Sequence, residues 1–115
     1  MNPVDKTIAR IQARNKVKPP MTDREIRDKI KNRNQKWVAD YLKTHPCVKC
    51  GEANILRLEF DHIDRADKEH TIGRIMNRGL DKLKAEVAKC QVLCANCHAE
   101  KTHRENKSWR LKFLN

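Results

Sequence analysis

The chain has little of what a large core requires. Aromatic residues make up only 4% of its 115 residues and hydrophobic residues 38%. That supply limits it to one small compact domain with an extension, of a size that commonly needs a metal or disulfides as staples. No apolar run approaches ~18 residues, which excludes a transmembrane helix and a membrane partner of that kind. The N-terminus carries no apolar h-region, so no secretory signal is expected and a cytoplasmic protein with reduced thiols is. Internal repeats and low-complexity stretches are also lacking. Acidic charge is scarce: 15 Asp+Glu stand against 26 Lys+Arg, a net charge of +11. A polyanion is the natural partner, although charge alone does not separate DNA from RNA.

What the chain does have is punctuated by proline, glycine and cysteine. Residues 1–18 read as a short basic amphipathic segment with Val4, Ile8 and Ile11 at helical spacing, ended by Pro19-Pro20. A second helix is expected from Thr22 or Asp23, either of which can cap it, to just before Pro46. Ile26, Ile30, Trp37, Val38, Tyr41 and Leu42 fall mostly on one of its faces. Residues 1–46 hold twelve Lys+Arg and five Asp+Glu, which leaves only +4 of the net charge for the remainder. The organisation read from this is a basic helical arm over 1–44, a domain over 45–107 and a tail over 108–115. Arg24, Arg27, Lys31, Arg33 and Lys101 are the basic side chains expected to grip phosphates. Ile55 to Phe60 is the best strand candidate, followed by a polar loop over 63–70. Ile72, Ile75 and Met76 suggest a helical turn closed by Gly79. Leu80, Leu83, Val87 and Cys90 suggest a short helix, and a last helix opens at Cys94 and runs to about Asn106. The tail residues Trp109, Leu111, Phe113 and Leu114 are expected to fold back or to meet a partner.

The strongest chemical signal is two Cys-x-x-Cys pairs, Cys47/Cys50 and Cys94/Cys97. Two residues between thiolates let a tight turn aim both sulfurs at one ion, and two such pairs complete a closed tetrahedral Zn²⁺ shell of the structural kind. Forty-three residues separate Cys50 from Cys94, far more than the ~15–20 of a compact zinc ribbon, so a substantial insert is looped out between the knuckles. The fifth thiol, Cys90, reads as a small buried hydrophobe.

That insert carries Asp61-His62 at the end of the expected strand, while His98 directly follows the second knuckle. A shared zinc ion would therefore draw Asp61, His62 and His98 together. A carboxylate and an imidazole leave most positions of a Mg²⁺ or Mn²⁺ ion open, and a neutral histidine can accept a proton from water. His45, His70 and His103 read as solvated residues without a task.

The string Leu58-Glu-Phe-Asp-His-Ile-Asp64, followed by Lys89-Cys-Gln-Val-Leu-Cys-Ala-Asn-Cys-His-Ala-Glu-Lys-Thr-His103 and preceded by Thr44-His-Pro-Cys-Val-Lys-Cys-Gly51, resembles the zinc-containing HNH endonucleases of bacteriophages and bacteria. The resemblance spans about residues 44–105. It implies an α+β fold of the ββα-metal (His-Me finger) type, in which a β-hairpin and a helix hold one catalytic divalent ion. By position, it makes His62 the general base, Asp61 and His98 the ligands of a catalytic Mg²⁺ or Mn²⁺, and Cys47, Cys50, Cys94 and Cys97 the holders of structural Zn²⁺. The family's middle Asn, which orients the base, corresponds to Lys89 here. A backbone carbonyl at that point can fix an imidazole tautomer, whereas Asn77 and Asn96 stand at other spacings. The implied activity is hydrolysis of DNA, mainly duplex, leaving 5′-phosphate and 3′-hydroxyl ends. A phage-encoded chain would act in the host cytoplasm, beside DNA-packaging or replication proteins. A non-catalytic zinc-finger nucleic-acid binder and an RNA-directed protein are the competing readings. Target site, oligomeric state and pathway stay open.

Overall fold

The computed structural model describes residues 19–114. The expected amphipathic segment 1–18 lies outside them. Helix α1 spans Asp23–Thr44, and Thr22 caps it by accepting the Glu25 N–H at 3.2 Å. Asp23 and Glu25 in the first turn suit the positive end of the helix dipole. The helix stops ahead of Pro46, where His45 stacks on the Tyr41 ring at 3.7 Å and turns Nδ1 to the Tyr41 carbonyl. The first half of α1 differs from the expected apolar face. Ile26 is exposed, and the residues buried on this helix are Asn34, Val38 and Leu42, four apart. Burial begins at Asn34 because its amide is pinned: Nδ2 donates to the Met76 and Arg78 carbonyls at 2.8 and 2.7 Å.

Two strands form one antiparallel sheet, β1 over Leu58–His62 and β2 over Cys90–Cys94. The register sets Leu58 opposite Cys94, Asp61 opposite Gln91 and His62 opposite Cys90. The strand begins three residues later than the β-formers suggest. The Asn54 side chain accepts the Leu56 N–H at 3.0 Å and curls Ile55–Arg57 into a 3₁₀ turn, a local bond that competes with extension. Between the strands lie short 3₁₀ turns at Arg65–Asp67 and Ile72–Ile75 and helix α2, Leu80–Val87. Helical spacing assigns Cys90 to that helix. The chain instead turns at Ala88-Lys89 and Cys90 opens β2, buried as expected but on the strand.

Helix α3, Ala95–Glu105, follows β2 directly, with Cys94 Sγ accepting the Cys97 N–H at its start. Leu83, Val87, Ile75, Leu93 and Val92, each no more than 3% exposed, form the centre of a small α+β core in which β2 is buried on both faces. After α3 a 3₁₀ turn, Trp109–Phe113, leaves both aromatic rings largely exposed and packed edge-on against each other at 6.2 Å. Among the described residues no helix is long and apolar enough to cross a membrane.

Candidate active site

The first knuckle is a tight turn in which the Gly51 N–H returns to the Cys47 carbonyl at 2.9 Å. Gly51 sits at φ +82°, a conformation glycine adopts without the penalty of a Cβ. The Val48 N–H bonds the Val92 carbonyl and fastens this turn to β2. The second knuckle needs no loop of its own, because Cys94 ends β2 and Cys97 lies in the first turn of α3. All four sulfurs lie within 4.8 Å of one another, against about 3.8 Å between ligands of an ideal tetrahedral site with Zn–S near 2.3 Å. The clustered thiols perturb one another. Burial alone would raise Cys47, yet backbone hydrogen bonds around the turn bring it down to about 6, whereas Cys94 and the other thiols push Cys97 up to about 12. These four cysteines could hold a structural metal such as zinc. Cys90 stands apart, with its thiol on the Glu86 carbonyl and its pKa pushed up to about 11, chiefly by burial.

The sheet distributes the remaining chemistry between its two faces. Side chains alternate along β1, so Glu59 and Asp61 point to one side and Phe60 and His62 to the other. On the first side Asp61 meets α3. Its Oδ2 accepts from Lys101 Nζ at 2.7 Å and from Gln91 Nε2 at 2.9 Å. Its Oδ1 lies 3.4 Å from His98 Nε2. Burial raises the Asp61 carboxyl, but the Lys101 and Gln91 bonds and the nearby positive charge outweigh it and hold it below its ordinary value. His98 Nδ1 is hydrogen-bonded to Glu59. A carboxylate can only accept, so a neutral His98 ring carries its proton on Nδ1 and turns an Nε2 lone pair towards Asp61 Oδ1. Two such donors at adjacent corners of a Mg²⁺ octahedron would stand about 3 Å apart, and a carboxylate behind a ligating histidine is a common supporting arrangement.

His62, on the other side, meets α2. Its Nε2 lies 2.8 Å from Glu86 Oε1, and both side chains are buried. The same oxygen accepts the Glu69 and His70 N–H groups at 3.1 and 3.2 Å, and Oε2 accepts Lys89 Nζ at 3.1 Å. Burial pushes this carboxyl up, but His62, the His70 N–H, Lys89 and the Glu69 N–H together hold it at about 2. Asp61, His62 and His98 line one open cleft of about 400 Å³ with Phe60, Arg65 and Lys68.

Two expectations need correction. Among the described residues no hydrogen bond joins Lys89 to His62: its ammonium binds Glu86, Glu69 and the Asp67 carbonyl, and its own carbonyl takes the Ile63 N–H. The group on His62 is Glu86, three residues earlier, while Asn77 and Asn96 are exposed. Lys101, expected as a phosphate contact, is instead paired with Asp61 and Glu105. Arg24, Arg27, Lys31 and Arg33 are exposed on α1. Glu59, Glu86 and Gln91 carry no motif that marks them in the sequence. For Glu86 there is a weaker signal, a carboxylate one turn beyond Leu83 and beside Val87 on an otherwise apolar stripe.

No family model, curated protein or solved structure matches the chain.

Proposed function

We propose that this chain is a metal-dependent nuclease of the HNH type that hydrolyses phosphodiester bonds of DNA, with His62 as general base. The observation that carries this reading is the meeting of Asp61 Oδ1 and His98 Nε2 at 3.4 Å in the cleft that His62 also lines. The strand–strand–helix order of β1, β2 and α3 agrees with a ββα-metal arrangement, and the four-cysteine cluster lies where β2 passes into α3. Asp61 and His98 would hold Mg²⁺ or Mn²⁺, which supplies Lewis acidity to a phosphate oxygen when bound. Arg65 and Lys68 would receive the charged backbone at the cleft wall. His62 would take the proton of the attacking water, a contribution of typically ~10²–10⁴-fold. The exposed cations of α1 would track neighbouring phosphates of a duplex.

One observation favours a non-catalytic zinc-finger nucleic-acid binder: Lys101 already neutralises Asp61 at 2.7 Å. Nicking of supercoiled plasmid separates the two readings. Zinc-loaded wild type with Mg²⁺ or Mn²⁺ should nick, while leaving both ions out or replacing His62→Ala should abolish nicking and leave DNA binding in place. A wild-type protein that binds DNA but cuts under neither metal is the binder.

A further inference from the structure

We propose that Glu86 is the positioning residue of His62: its buried carboxylate fixes the imidazole with the proton on Nε2 and so makes Nδ1 the atom that accepts the proton from water. This rests on the nuclease reading and adds to it the residue that selects the working nitrogen.

Donors and acceptors decide where the proton sits. An ionised carboxylate has no proton to give, so across the 2.8 Å contact the His62 Nε2 must donate. Glu86 is held in the ionised form by what surrounds it. The Glu69 and His70 N–H groups and the Lys89 ammonium all donate to it, and none can accept. A neutral His62 ring then has its lone pair on Nδ1, and among the described residues no hydrogen bond occupies that nitrogen. Burial makes the arrangement stiff. Glu86 is 3% and His62 9% exposed, so water does not compete freely for Nε2. Unpaired, a carboxylate so deeply buried would be strongly disfavoured. Here every oxygen is used, and one of the donors is the ring itself.

The same carboxylate ties the 63–70 segment to α2, so a loop-anchoring role alone has to be separated from positioning. Glu86→Gln does this. Its carbonyl oxygen can keep the site with three donors (His62, Glu69 and His70) and leave the amide N–H₂ towards the more exposed Lys89 position. It should therefore retain the tautomer. Glu86→Ala removes the acceptor altogether.

The test combines ¹⁵N imidazole spectra of zinc-loaded protein with nicking rates on supercoiled plasmid in Mn²⁺. Wild type and Glu86→Gln should both show His62 protonated on Nε2 at neutral pH. In Glu86→Ala that tautomer should be lost, and the rate at saturating plasmid should drop by about 10²-fold or more, with the half-saturating plasmid concentration little changed. Glu86→Gln should restore most of the rate. A wild-type spectrum with the proton on Nδ1 overturns the proposal whether or not the protein cuts. So does a folded Glu86→Ala protein that nicks at the wild-type rate. Absence of nicking by a wild-type protein with the Nε2–H tautomer overturns the nuclease reading and, with it, the catalytic part of the proposal. If Glu86→Ala does not fold, a Glu86→Gln protein that keeps the tautomer but loses about 10²-fold in rate counts against it.

Discussion

Asp61 and Gln91 face each other across the two-stranded sheet, and the Gln91 amide holds one carboxylate oxygen at 2.9 Å. Lys101 holds the same oxygen from α3. The other oxygen is thereby presented to His98, whose ring is steadied from behind by Glu59. If these two side chains are the ligands of a catalytic ion, their supports matter almost as much as they do. Glu59→Ala and Gln91→Ala should each weaken Mn²⁺ binding by roughly 10–100-fold, measured by calorimetry or Mn²⁺ EPR on zinc-loaded protein. Unchanged affinity in both variants would show that Glu59 and Gln91 do not support a metal site at Asp61 and His98.

The cysteines divide into four and one. Cys94→Ser should lose zinc and the folded state together, because binding and folding are linked at such sites. Cys90→Ala should keep a full equivalent of zinc and most of its stability, since its thiol lies outside the four-sulfur cluster and hydrogen-bonds the Glu86 carbonyl instead. Metal content by atomic absorption and a thermal melt check both. A folded, zinc-free Cys94→Ser protein would show that no metal staples this fold.

Charge on α1 has a thermodynamic signature of its own. Replacing Arg24, Arg27, Lys31 and Arg33 together by Ala should flatten the salt dependence of duplex binding by up to roughly 4 units of log K against log salt, about 0.9 for each phosphate released. Lys101→Ala should leave that slope unchanged, because its ammonium is already paired within the protein. An unaltered slope in the α1 variant would mean that DNA does not lie along this helix.

Glu86 also sets an acid limit. Its carboxyl falls from an ordinary 4.5 to about 2 in the folded protein. The folded value is the lower one, so the stabilisation is complete above pH 4.5 and drains away as pH falls from there through about 2. The stability gap between wild type and Glu86→Gln should therefore narrow over that interval. Urea midpoints of both proteins, taken in excess Zn²⁺ down to the lowest pH at which each still holds the metal, would reveal it. A gap that stays constant across the interval contradicts the pairing.

The parts of this molecule that were legible in its sequence are those whose meaning lies in short spacing. The two knuckles, the Asp61-His62 dipeptide, the Thr22 cap and the stop before Pro46 all declare themselves within a few residues. What was not legible depends on partners far along the chain. Glu86 reaches His62 across 24 residues, Gln91 reaches Asp61 across 30, and Asn34 reaches Met76 across 42. No spacing rule announces such pairs, because a strand register and a helix docking decide them. Even local chemistry misled where it competed. Ile55 and Leu56 favour a strand, but the Asn54 side chain claims the Leu56 N–H first.

The alternation of β1 has a consequence for how this site can change. Asp61 and His62 are adjacent in the chain, yet they are braced from opposite sides of one strand, Asp61 by α3 and His62 by α2. The strand acts as a partition wall. Substitutions among Glu59, Gln91 and Lys101 share no side-chain partner with those at Glu86 and Lys89, so their effects should add independently. On the proposed nuclease reading, the side chains that would hold the ion and those that would position the base can then drift separately.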